Sequence, residues 1–165
     1  MFKKFEKAVE EITKRTAQVA QVALFFAMAI IVSNIILRSF WKPVAGTVEL
    51  TEMAGGILLG MGVAYTAMMK GHIAVGIFID KLPLRIRALA ELFTTTIILF
   101  FTTVLARELF SYASSMLSRG YETGHLGVPI APSIYLVAFG ITMFAVVLLK
   151  DLIKAFLVIL KGAEI

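Results

Sequence analysis

Glu52 is the residue best placed by type and position to do chemistry. It stands near the start of an otherwise uncharged apolar run, 50–69, and an ionisable group in such a run marks a functional site by default. A carboxylate there can carry a proton or a cation, or it can pair with a base. Arg38, at the far end of the preceding apolar run, is close enough in sequence to meet it across the intervening turn. Glu52 falls in the first turn of its helix, where the helix dipole favours a carboxylate. A mobile carrier site is expected nearer mid-membrane, so a structural salt bridge or a partner contact is the favoured reading. Asn34 lies one turn before Arg38 on the same face. An amide there either bonds a neighbouring helix or touches a substrate, and the first is the commoner role.

The remaining reactive side chains argue against catalysis. His72 follows the second apolar run and His125 lies between the third and fourth. Two axial haem ligands must face one another at one depth, and these fall on opposite sides of a membrane, against a haem-bearing anchor of an oxidoreductase. The chain has no cysteine, which removes disulfides, thiol nucleophiles and thiolate metal sites. No phosphate-cradling glycine loop, metal-ligand cluster or nucleophile–base pair is present. No catalytic residue, cofactor site or metal site is expected. Glu91 follows Arg87 by four residues, the spacing of a local ion pair. Thr94, Thr95, Thr96, Thr102 and Thr103 can return their hydrogen bonds to their own helix. Gly56, Gly60 and Ala64 form a small-residue ridge at four-residue spacing, which lets another helix approach closely. The spacing does not say whether that helix is in this chain or a partner.

These residues are carried by membrane-spanning helices. Of the 165 residues, 59% are hydrophobic and 16% charged, against about 25% charged in a typical soluble domain; mean hydropathy is +0.91. The net charge of +5 does not indicate nucleic acid, because the basic residues flank apolar runs instead of striping a polar face. Four runs, 17–37, 50–69, 88–106 and 130–149, match the roughly 20 apolar residues a helix needs to cross the bilayer. The first is too long for the apolar core of a cleaved leader. Lys3, Lys4, Lys7, Lys14, Arg15, Lys70, Lys81, Arg85, Arg87, Lys150, Lys154 and Lys161 fall on one side; Arg38, Lys42, Arg107 and Arg119 fall on the other. The excess marks the cytoplasmic side. Trp41, Tyr112, Tyr121 and Tyr135 fall at the opposite, outer ends, as an aromatic belt does.

The pattern predicts one all-α domain over 1–165: an integral membrane four-helix bundle with an N-terminal amphipathic helix and both termini cytoplasmic. Phe2, Phe5, Val9 and Ile12 line one face of residues 1–15, leaving two readings open: a helix on the membrane surface or against a partner, or a solvated extension of the first span. Outer loops are predicted at 38–49 and 107–129, an inner loop at 70–87, and a cytoplasmic tail at 150–165, into which the last helix either continues or bends. Pro129 and Pro132 suit the start of that helix, where amides lack partners.

Taken in order, several of these stretches resemble the small membrane subunit, or Q component, of tripartite ATP-independent periplasmic (TRAP) transporters. They are Asn34-Ile-Ile-Leu-Arg38 with Trp41, then Glu52, Gly60 and Gly62. Gly71-His72-Ile73-Ala74-Val75 follows, with Leu82-Pro83 and Arg85. Thr123-Gly124-His125-Leu126-Gly127-Val128-Pro129 and Tyr135 lead into the last helix. No single piece is specific; the order, spacing and four-span topology are. The chain departs from the pattern at Phe139, where the family often has a proline before the glycine, implying a straighter last helix. The resemblance implies a bacterial inner-membrane subunit that supports a large membrane (M) subunit, which itself carries the substrate and sodium sites. It also implies a periplasmic substrate-binding protein (P component) docking on the outer face, with small organic acids such as C4-dicarboxylates or sialic acids as substrates. Arg38, Glu52 and His72 become candidates for holding the fold or the partner, and loops 39–48 and 107–131 for touching the docked protein. Asn34, Gly56, Gly60, Ala64, Arg85, Gly127 and Pro129 complete the set of structural or interface candidates. A self-sufficient small carrier using Glu52 is the alternative, and an oxidoreductase anchor the other.

Overall fold

A computed structural model describes residues 2–69 and 84–161. They form four helices: α1 (Phe2–Phe40), α2 (Thr47–Met68), α3 (Leu84–Ser118) and α4 (Ala131–Lys161). All four are long and apolar enough to cross a membrane. At 1.5 Å per residue, the 22 residues of α2 just cover the hydrocarbon layer. The 39 residues of α1, 35 of α3 and 31 of α4 overrun it.

That excess length changes several predicted boundaries. The segment 107–118, expected as loop, is the end of α3: Arg107 and Glu108 end the apolar run, but neither breaks a helix. The helix stops at a Schellman cap instead. Gly120 takes the left-handed conformation (φ 63°), its N–H bonds Leu117 O at 3.2 Å, and the Tyr121 N–H bonds Met116 O at 3.1 Å. The first loop shrinks from 38–49 to 41–46, between Phe40 and Thr47. Residues 2–15 are not a separate surface helix but the opening turns of α1, and α4 continues unbroken to Lys161. Within 2–15, Val9 is buried, whereas Phe5 and Ile12 are exposed.

What α1 buries is a different stripe: Val9, Thr13, Thr16, Ala20, Ala23 and Ala27. The steps alternate four and three, the period of a coiled-coil seam. Small side chains let α2 lie close, and a Cβ built on Gly62 sits 3.8 Å from that of Ala20.

The helices do not stand in chain order. α1 packs on α2, α2 on α4, and α4 on α3, while α1 reaches α4 slightly. The bundle is therefore an open row, α1–α2–α4–α3. In the inner helices α2 and α4, 28% and 33% of the apolar span is buried, against 11% in each outer helix. The inner pair meets backbone to backbone. A Cβ on Gly140 would sit 2.1 Å from the carbonyl oxygen of Gly60, and one on Gly60 would sit 2.9 Å from the Cα of Val137. Large apolar side chains face outward, among them Phe25, Leu59, Phe93, Phe100 and Phe101. Only lipid or a partner helix suits such a surface.

Candidate functional site

The two described loops lie together at one end of the row. The first bends at Trp41 and turns at Ala45 and Gly46, and Asn34 holds it: its Oδ1 accepts the Val44 N–H at 2.9 Å. The amide predicted to join helices thus joins α1 to its own following loop. Gly46 (φ 74°) then redirects the chain into α2, where the Thr47 hydroxyl donates to Val44 O at 2.7 Å.

The second loop is a folded hairpin across residues 121–130. Glu122 and Pro129 form an antiparallel bridge. The N–H of Thr123 donates to Val128 O at 2.9 Å, that of Gly127 to Thr123 O at 3.1 Å, and that of Ile130 to Tyr121 O at 3.3 Å. The Thr123 hydroxyl accepts the Val128 N–H at 3.1 Å. Gly127 is required at the reversal because its φ of 60° is costly for any residue with a side chain. The predicted residues Gly127 and Pro129 therefore shape this hairpin.

Glu49 joins the two loops, and motif reading passed it over. Its Oε1 accepts the His125 N–H at 2.8 Å and its Oε2 the Leu126 N–H at 3.2 Å. Two consecutive amides aimed at one carboxylate make a small anion-binding nest, and a charged acceptor strengthens both bonds. Beside it, Leu126 covers Gly46, where a Cβ would sit 2.3 Å from the leucine Cγ.

α2 begins earlier than expected, so Glu49 takes the first turn and Glu52, in the second turn, is exposed. It does not pair with Arg38: the described residues contain no ion pair between them. Arg38 ends α1 on an exposed turn. Glu52 instead borders two grooves. One, of about 590 Å³, runs between α2, α3, α4 and the hairpin, with Glu49, Glu52 and Glu122 on its walls beside Tyr112 and Tyr121. The other, of about 310 Å³, lies between α1 and α2 and includes Asn34 and Thr51.

The small-residue ridge faces within the chain. A Cβ on Gly56 would be 3.7 Å from a Val137 methyl, Gly60 meets Gly140, and Ala64 is fully buried. His72 lies outside the described residues. Arg85 begins α3, but its side chain, like those of Arg87 and Glu91, also lies outside the description. Three of the five predicted threonines spend their hydroxyls on their own helix: Thr96 on Leu92 O, Thr102 on Ile98 O and Thr103 on Leu99 O, all at 2.7–2.8 Å. Among the described residues no three His, Asp or Glu side chains gather as a metal site would.

At the other end of the row, the start of α1 meets the end of α4. The Lys154 ammonium donates to Glu6 Oε1. Lys150 is buried with Asp151 3.7 Å away. Glu6 and Lys154 thus join the start of α1 to the end of α4.

Four apolar spans, the inner two in contact at a glycine crossing, with the two described loops folded together at one end, define a multi-pass helical membrane protein. The profile of the family described as "Tripartite ATP-independent periplasmic transporters, DctQ component" matches residues 5–158. The chain belongs to that family and is a small membrane subunit of a TRAP transporter. No curated protein matches it.

Proposed function

We propose that the chain is the non-catalytic brace of a TRAP transporter in the bacterial inner membrane, with the loop end periplasmic and both termini cytoplasmic. It supports the large membrane subunit and helps seat the periplasmic substrate-binding protein on the outer face. The substrates are organic acids of the C4-dicarboxylate or sialic acid class, taken up with sodium. The observation that carries this reading is the backbone contact of Gly60 with Gly140, which fixes the two inner helices. The exposed apolar faces of α1 and α3 remain available to lipid and to the large subunit. Thr96, Thr102 and Thr103 bond their own helix, as suits a support. The hairpin stands where a docking protein arrives, and its exposed His125, Glu122 and neighbouring Arg119 offer charge for recognition.

The test is reconstitution. The chain is expected to co-purify with a much larger membrane protein, and liposomes holding both should take up substrate only with the binding protein and a sodium gradient. Uptake by this chain alone would overturn the reading. Charge changes on the hairpin, His125→Glu and Glu122→Lys, are expected to raise the binding-protein concentration needed for half-maximal uptake.

A further inference from the structure

Two contacts tie the 121–130 hairpin to α2 and the loop before it. One is steric: Leu126 lies over bare backbone at Gly46. The other is directional. Both oxygens of Glu49 are engaged by successive hairpin amides, at 2.8 and 3.2 Å. The hairpin's backbone bonds among the described residues otherwise run within itself, back to the end of α3 or forward into the first turn of α4. Apolar contact alone lets a loop slide. A carboxylate held by donors at fixed angles sets both its position and its rotation.

We infer that Glu49 is a positioning residue for docking: it holds the hairpin in the shape the periplasmic binding protein meets. It therefore governs how tightly that protein is seated, and leaves the turnover of the loaded transporter alone. This rests on the reading that the hairpin touches the docked protein. Glu49 acts only through backbone amides, so the hairpin's surface side chains can vary without loosening the latch.

The experiment uses the complete transporter in liposomes with the binding protein titrated, and hydrogen exchange over 121–130 in the same complex. Glu49→Ala removes both acceptor oxygens; Glu49→Gln keeps one carbonyl oxygen for the closer amide. In Glu49→Ala the His125 and Leu126 amides should exchange roughly tenfold faster. The half-maximal binding-protein concentration should rise roughly tenfold, with uptake at saturation retained, and Glu49→Gln should fall between. Unchanged exchange at the two amides overturns the latch. Faster exchange with an unchanged half-maximal concentration overturns the positioning role. In that event His125→Glu and Glu122→Lys, which keep the backbone donors, tell the failures apart. If they shift the concentration, the docking reading stands and only the role of Glu49 is lost; if they do not, both are lost. A fall in saturated uptake for Glu49→Gln, at equal amounts of complex, also overturns the inference.

Discussion

Glu52 and Glu49 sit one turn apart on α2; the sequence singles out Glu52, whereas it is Glu49 that bonds the hairpin. Glu52 draws attention because it is the acid inside the apolar run. Glu49 lies just before that run and reads as an ordinary first-turn acid. Its partners are two backbone amides 76 and 77 positions away, and backbone donors leave no signature in residue type. Glu52 carries a clear expectation. If it were a carrier, Glu52→Gln would abolish uptake in correctly assembled complexes. For an exposed groove acid in a brace, uptake per assembled complex should stay within about twofold, any loss appearing in the yield of complex. Uptake normalised to co-purified large subunit decides between them. Asn34, expected to bond a neighbouring helix, bonds its own following loop instead. Asn34→Ala removes the acceptor of the Val44 N–H and should destabilise the loop by about 1 kcal/mol, read as faster exchange at that amide.

At the level of helices, the long apolar runs announced the spans, but not their ends. A hydropathy run ends where polarity begins, whereas a helix ends where its backbone is capped, so α3 continues through Arg107 and Glu108 to the cap at Gly120. The Gly56–Gly60–Ala64 ridge was legible as a close-packing face; its partner was not, because spacing along one helix does not name another. Gly140 supplies it. Gly140→Ala forces a methyl into the Gly60 carbonyl and should cost about 1–3 kcal/mol, seen as a lower unfolding midpoint of the purified subunit. Gly55→Ala is the matched control: no atom beyond its own stretch of helix lies within 4 Å of its Cβ position, and helix propensity should leave the subunit level or up to about 1 kcal/mol more stable.

For the molecule as a whole, the proposed orientation rests on the asymmetry of Lys and Arg, and the absence of cysteine makes it simple to measure. A single cysteine at Lys42 or Glu122 should react with a membrane-impermeant thiol reagent added to intact cells stripped of their outer membrane. A cysteine at Lys7 should react only after permeabilisation. The reverse pattern would invert the proposed topology. At the terminal end, Glu6 and Lys154 join α1 to α4. Both are partly exposed, so a double-mutant cycle should give a coupling below about 1 kcal/mol.

The row α1–α2–α4–α3 also has a meaning for how the protein is made. Chain order and spatial order disagree at one step, since α4 is synthesised last but stands between α2 and α3. When α3 leaves the ribosome its native neighbour does not yet exist. The glycine face of α2 is likewise uncovered until the final span arrives. The first hairpin can assemble during synthesis, whereas α3 must wait in the bilayer, or beside an insertion chaperone, for α4 to be threaded between them. A chain stopped after Ser118 should therefore retain a paired α1 and α2 with α3 unattached, and cross-linking of arrested nascent chains would register α3 against the insertion machinery until α4 emerges.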